Sequence, residues 1–302
     1  MIYLRKLKHY MFYFFGLISQ NPKLVFTEFL EDYSKDYKSS KIIKDHKLVW
    51  ICSLPKSGST LVEEIIDFFP YVKLDRSLNR FYSKGKLAHV HNISKEMLSS
   101  APEKKLSYIK THTHYNSEIL KLINDRVKII FTFRDLRDVM ISRYYHILQD
   151  KSHIDHQKIS RLGLKEGFIY SFKSLGYGEK NILTYYYNWI KDWQSKKFLF
   201  NHLELWFEDF VKDPNEYLKK ILMFLNFDDN TYNLSNLKIY LKKKNTYKHN
   251  RTFAQKINDK SKNVSTFRSG KIENWKTFFD DEITNEFNKS LPGPLESVIK
   301  KL

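Results

Sequence analysis

A single cysteine, Cys52, in a chain of 302 residues excludes an intramolecular disulfide and any cysteine-cluster metal site, and it fits a reducing compartment. Long apolar runs are missing too. The N-terminal run from Met11 to Ile18 is far short of the roughly 20 residues a bilayer-spanning helix needs, and no small-residue cleavage pattern follows it as in a signal peptide. Residues 1–45 are therefore expected to form an N-terminal helical extension of a cytoplasmic protein. Arg5, Lys6 and Lys8 beside aromatic side chains leave peripheral contact with a membrane surface open for that extension. Acidic residues are in deficit: 34 Asp and Glu against 52 Lys and Arg give a net charge of +18, which favours anionic partners. A Lys-, Asn-, Ile-, Phe- and Tyr-rich composition also follows from codon bias, so charge alone does not choose among nucleic acid, a membrane surface and a small anion. No internal repeat or interdomain linker interrupts the chain.

What is present is an alternation of short apolar runs with helical periodicity. Leu48 to Ser53, Leu106 to Lys110, Val127 to Phe133 and Phe198 to Phe207 read as strands. Helical spacing follows at Leu61, Val62, Ile65, Ile66 and Phe69, at Tyr115 to Asn124, and at Leu136 to Leu148. It recurs in the stripe Ile182, Tyr185, Tyr186, Trp189, Ile190 and Trp193, and again after Asp213-Pro214. This order predicts an α/β fold with a parallel, doubly wound sheet flanked by helices. Residues 71–105 and 150–176, the latter broken by Gly163, Gly167 and Gly176, lack sustained periodicity and read as loop-rich variable segments. Residues 242–266 are basic and low in apolar side chains. In such a fold ligands sit beyond the carboxyl ends of the strands, which makes these three segments the expected walls of a substrate pocket.

The sharpest local signal is Leu48-Val-Trp-Ile-Cys-Ser-Leu-Pro-Lys-Ser-Gly-Ser-Thr60, a buried strand that stops at Pro55 and opens through a small-residue loop into a helix. Unpaired N–H groups at a helix start, Lys56, Gly58 and two hydroxyls together suit a bound phosphate. Against the nucleotide-binding pattern G-x-x-x-x-G-K-[ST], residues 53–60 keep Gly58 and Thr60, lose the first glycine, and place Ser59 where the lysine belongs. The lysine stands at position 56 instead, which disfavours a kinase or NTPase.

Pro55-Lys-Ser-Gly-Ser-Thr60 resembles the 5′-phosphosulfate loop of the sulfotransferases that use 3′-phosphoadenosine-5′-phosphosulfate (PAPS). Arg134-Asp-Leu-Arg-Asp-Val-Met-Ile-Ser142 is similar to their 3′-phosphate segment, and Lys110-Thr-His112 to the segment holding their general base. Phe267-Arg-Ser-Gly270 followed by Asn274-Trp-Lys276 resembles a C-terminal donor loop in degraded form, with Ser269 and Asn274 departing from it. The resemblance covers roughly residues 46–280. It implies a P-loop-type three-layer α/β fold with a central parallel sheet, a sulfotransferase domain over 46–302, and PAPS as donor with no metal.

The same resemblance implies roles for particular residues. His112 would be the general base, Lys56 would offset charge on the 5′ side of the leaving group, and Lys110 would hold the sulfuryl oxygens. Arg134, Ser142 and Arg268 would bind the 3′-phosphate. Ser57, Gly58, Ser59 and Thr60 would cradle the 5′-phosphosulfate, Leu61, Phe207, Thr252 and Phe253 would line the nucleoside site, and Ser269 and Gly270 would belong to the C-terminal donor loop near the 3′-phosphate. Leu61 and Phe207 replace the Trp and Tyr of the cytosolic animal enzymes. The partner implied is a small-molecule, sugar or lipid hydroxyl acceptor, with no nucleic acid. No Thr-Val pair marks the animal dimer motif near the C-terminus, and the sequence fixes no oligomeric state. The remaining alternatives are a P-loop kinase or NTPase using Asp135 or Glu208-Asp209 as a metal-binding carboxylate, and a non-enzymatic binder of polyanions or nucleic acid.

Overall fold

The computed structural model describes residues 48–67, 72–74, 106–115, 117, 123, 127–174, 179–226, 241 and 270–300. Five parallel strands run through them: β1 (Leu48–Ser53), β2 (Val72–Leu74), β3 (Leu106–Thr111), β4 (Val127–Phe133) and β5 (His202–Trp206), in the spatial order β2-β3-β1-β4-β5. The first strand of the sequence is thus the central one, paired with β3 on one side and β4 on the other. The helices are α1 (Ser59–Asp67), α2 (Leu136–Gln149), α3 (His156–Ile159), α4 (Leu164–Lys173), α5 (Ile182–Lys196), α6 (Phe207–Lys212), α7 (Pro214–Phe224), α8 (Trp275–Phe278) and α9 (Asp281–Ser290).

Successive strand side chains point to opposite faces, and both faces of the sheet's centre are covered. On one face Trp50, Cys52, Ile129, Phe131 and Phe133 join a core with Val139 and Met140 of α2, Phe168 and Phe172 of α4, Trp189 and Trp193 of α5, and Phe287 of α9. On the other lie Val49, Ile51 and Ile130, equally buried, with Val62, Ile65 and Ile66 of α1 and Leu218, Ile221 and Leu222 of α7. Lys128 marks that second face: it is buried, its Nζ donates to the Phe224 carbonyl at the end of α7, and burial lowers its pKa. Each fully buried Trp, Phe, Leu or Ile contributes about 1.5–3 kcal/mol through loss of apolar surface from water.

Three local readings change. The stretch 71–105 contributes an edge strand, β2, whose three residues are too short for any alternation to show and which exists through its pairing with β3. The segment 150–176 is not loop throughout but carries α3 and α4. Gly167 sits inside α4 because a Cβ there would press on the Ile159 carbonyl and the Tyr144 ring, each at 3.3 Å. Close packing, rather than a break in the helix, is what the glycine serves. The fourth strand ends at Trp206, and Phe207 opens α6 instead of closing β5. The helix expected over 115–124 falls largely outside the described residues, as do residues 1–45 and 242–266.

Candidate active site

The loop after β1 is held from beneath by its own small side chains. Ser57 Oγ lies 2.6 Å from both the Leu54 carbonyl and Thr132 Oγ1, the Ser57 N–H reaches the same carbonyl at 3.3 Å, and the Leu54 N–H reaches the Thr132 carbonyl. Both polar groups of Ser57 are thereby spent on shaping the loop. Lys56 and Gly58 take left-handed backbone angles, φ +68° and +96°, and α1 starts at the next residue. Gly58, Ser59 and Thr60 have no backbone acceptor for their N–H groups among the described residues, as expected where a helix begins. A left-handed lysine is uncommon and marks a turn imposed by its surroundings.

Phe207 closes one side of this loop. A Cβ on Gly58 would sit 2.9 Å from its ring, and the Arg134 guanidinium lies 4.5 Å from the ring centroid. Position 207 therefore touches the loop and the strand-end arginine together. Arg134 also donates to the Lys271 carbonyl at 2.9 Å and faces Asp138 Oδ2 at 3.6 Å. Asp138 in turn accepts the Trp275 N–H at 3.1 Å, so the start of α2 and the chain entering α8 meet at one buried carboxylate. Ser142 lies one turn beyond Asp138 on the same face of α2. Glu208 Oε1 accepts the Asp135 N–H at 2.9 Å and fixes the β4–α2 turn, while burial raises its pKa.

Three cations converge here. The Lys56 ammonium is lowered from 10.5 to about 8, first by burial and then by the fields of Lys110 and Arg134, which Asp150 offsets in part. A site that disfavours its own protonated lysine is one that an anion would stabilise, and the loop N–H groups add donors for it. Lys110, near the end of β3, forms an ion pair with Glu63 of α1.

His112 follows directly on β3 and is buried. Its Nδ1 lies 2.8 Å from the Ser53 carbonyl and 3.0 Å from Ser53 Oγ, whose own O–H reaches the Thr111 carbonyl at 3.2 Å. A carbonyl oxygen can only accept, so Nδ1 carries the proton and, in the neutral ring, Nε2 carries the lone pair. The backbone around His112 is braced from below. Trp50 Nε1 donates to Thr111 Oγ1 at 2.7 Å, and Trp189 and Trp193 of α5 both donate to the Thr113 carbonyl, at 2.8 and 3.0 Å. The strand ends at Thr111, so His114 is not carried on with His112 along one strand face. Its ring lies instead 5.0 Å from that of Tyr185 on α5.

The fold thus brings Lys56, Gly58, Ser59, Thr60, Lys110, His112, Arg134 and Phe207 to the carboxyl ends of β1, β3, β4 and β5, while Ser142 stands further along α2. Leu61, half-buried in the first turn of α1, lies beside the loop, and Gly270, φ +63°, stands next to Lys271. Thr252, Phe253, Arg268 and Ser269 lie outside the described residues. Reading the sequence missed Ser53 as partner of His112, Glu63 as partner of Lys110, and Asp138 as the joint between Arg134 and Trp275. Only Asp138 left a signal, standing four residues after Arg134 in the first turn of α2.

The architecture defines an α/β protein whose strand-end loop and neighbouring cations favour an anion. A family model described as "Sulfotransferase domain" matches residues 46–292, and the chain belongs to the sulfotransferase family. It is 27% identical to mouse Sulfotransferase 1 family member D1 over 188 residues, 60% of this chain and 59% of that protein's own length. Identity to rat Sulfotransferase 1A1 is 28% over 243 residues, covering 76% of this chain and 78% of the rat protein. A crystal structure of retinol dehydratase in a complex with retinol and PAP shares the fold, with TM-score 0.55 at 21% identity over 83% of this chain and 82% of that one. Among the described residues no helix is long and apolar enough to cross a membrane, and no group of three or more His, Cys, Asp or Glu side chains is placed to hold a metal ion.

Proposed function

We propose that this protein transfers a sulfuryl group from PAPS to the hydroxyl of a small molecule, with His112 as general base. The observation that carries the reading is the 2.8 Å approach of His112 Nδ1 to the Ser53 carbonyl, which puts the proton on Nδ1 and the basic lone pair on Nε2, the form a general base needs. The donor's part is to supply a sulfuryl group on a good leaving group. The residues present fit it, because the left-handed Lys56–Gly58 turn, the N–H groups of Gly58, Ser59 and Thr60, and a lysine lowered to about 8 by its cationic neighbours all favour an anion.

In the proposed reaction His112 Nε2 takes the acceptor proton as the acceptor oxygen bonds to sulfur. The bond from sulfur to the bridging oxygen of the 5′-phosphate breaks, and adenosine 3′,5′-bisphosphate (PAP) leaves with the electron pair. Lys56 and the loop N–H groups offset charge on that leaving oxygen, as an oxyanion site does. Lys110 holds the sulfuryl oxygens. Arg134 and Ser142, with Arg268, hold the 3′-phosphate, the group that separates PAPS from ATP. Phe207 orients Arg134 and shields the loop, in place of an aromatic residue with a hydroxyl.

The acceptor side is read from chemistry alone. The aromatic cluster of His114, Tyr185 and Tyr186 just past His112 suits an apolar hydroxyl compound, and the related retinol dehydratase was crystallised with such a compound, retinol. Calorimetric titration with PAP, AMP, ATP–Mg²⁺ and a short oligonucleotide tests the donor half. Binding of PAP at least tenfold tighter than AMP is expected, and equal affinities would refute the assignment.

A further inference from the structure

Of the three cations that meet at the strand ends, Arg134 faces Asp138 of α2, and Lys110 is paired with a carboxylate of a different element, α1. Lys110 is held by Glu63 Oε2, with side-chain exposures of 17% and 20%, so the pair sits at the rim of the site rather than out in solvent. Glu63 stands on α1, one turn beyond the loop that starts the same helix, whereas Lys110 stands on β3, two residues before His112. The ion pair therefore ties the element that carries the loop to the element that carries the base.

Electrostatics say what the tie is for. The field of Lys110 reaches Lys56, and that of Arg134 does too. Like charges at such range repel, and a lysine has a long flexible stem. Left alone, the Lys110 ammonium would swing away from the other two and towards water. An ammonium has three N–H donors, and a carboxylate on one of them leaves two for another oxygen-bearing group.

Resting on the proposed donor chemistry, we infer that Glu63 is a positioning residue: it keeps Lys110 inside the cation cluster, with two N–H groups directed to the sulfuryl oxygens of the donor. Glu63 touches neither donor nor acceptor. Its effect is confined to ligands that carry the sulfuryl group, because the 3′- and 5′-phosphates are held by Arg134, Lys56 and the loop. Glutamine at 63 keeps the length and helix propensity of the side chain and removes the charge that restrains the lysine.

The experiment compares equilibrium binding of PAPS and of PAP, without acceptor, to the 302-residue chain and to Glu63→Gln, Glu63→Asp, Lys110→Ala and the double variant Glu63→Gln/Lys110→Ala. PAP has no sulfuryl group and serves as the internal control for folding and for phosphate binding. Glu63→Gln is expected to leave the PAP dissociation constant within twofold and to lower the preference for PAPS over PAP by roughly tenfold, the effect of one weakened charge-assisted hydrogen bond. Glu63→Asp, which keeps the charge, is expected to recover part of the preference. In the Lys110→Ala background the glutamine should have no further effect, since Glu63 acts only through that lysine. A preference unchanged or increased in Glu63→Gln, or a full effect persisting without Lys110, overturns the inference. A wild-type chain that binds PAP no tighter than AMP overturns the donor reading itself, and this inference with it.

Discussion

Asp138 accepts the Trp275 N–H through Oδ1 at 3.1 Å and faces the Arg134 guanidinium through Oδ2 at 3.6 Å, with only 1% of the residue exposed. One carboxylate thereby joins the end of β4, the first turn of α2 and the chain entering α8. Burial raises its pKa, and Arg134 works against that rise. Removing one member of such a buried pair strands the other. Asp138→Ala is expected to destabilise the protein by about 3 kcal/mol, with Asp138→Asn costing less because it keeps an acceptor for Trp275. Urea denaturation midpoints at constant slope measure this, and an alanine variant as stable as the parent would show that the joint does not matter.

Lys56 makes the loop after β1 pH-sensitive in a defined direction. Its value in the folded protein is about 8, below the ordinary 10.5, because burial, Lys110 and Arg134 disfavour the ammonium. A bound anion reverses that preference, so PAP should bind with proton uptake between about pH 8 and 9, and its affinity should fall as pH rises past 8. In the ligand-free protein the same shift has the opposite sign for stability. The unfolded chain keeps a proton that the folded site has released, so this lysine's contribution to stability rises with pH from about 8 to 10.5. Calorimetry of PAP binding in two buffers of different ionisation enthalpy reads the proton directly, and Lys56→Met should abolish the uptake.

Gly58 faces two obstacles to substitution at once. Its φ is +96°, and a Cβ would lie 2.9 Å from the Phe207 ring. Gly58→Ala is expected to lower stability by about 1–3 kcal/mol and to weaken PAP binding, as strain and overlap combine. Trimming the neighbour in Gly58→Ala/Phe207→Ala removes the overlap and leaves the strain, so only part of the loss should return. Full recovery in the double variant would place the whole cost in the ring contact.

His112→Ala should separate chemistry from donor binding. The residue is anchored through Nδ1 to Ser53 and is assigned no phosphate contact, so PAP affinity is expected to stay within about threefold while turnover falls by about 10²–10⁴, the usual contribution of a general base. A PAP titration and single-turnover transfer from PAPS to a phenolic probe measure the two. Retained turnover with lost PAP binding would remove His112 from the role of base.

Much of this architecture was legible in the chain. β1, β3 and β4 announce themselves as apolar runs, α5 by its aromatic stripe, and the loop at 55–60 by the meeting of proline, lysine, glycine and hydroxyls at a strand end. Those signals are local, set by side-chain period and by the few residues able to make a tight anion loop. Less local features were hidden. β2 is three residues long and has no pattern of its own, and Gly167 looked like a helix breaker until Tyr144 and Ile159 were packed against it.

The sequence alone determined that a Pro-Lys-Ser-Gly-Ser-Thr loop, a strand-end arginine with a serine eight residues on, and a Lys-Thr-His segment occur in one α/β chain. Their order along the chain placed each at the end of a strand, because strand, turn and helix follow from neighbours a few residues apart. Tertiary structure decided the partners. Ser53 meets His112 because β1 and β3 are adjacent in register, Glu63 pairs with Lys110 because α1 packs on the strands that flank β3, and Asp138 reaches Trp275 across 137 positions of sequence. Such contacts depend on which strands lie side by side and how helices cross them, and no local pattern of residues encodes that.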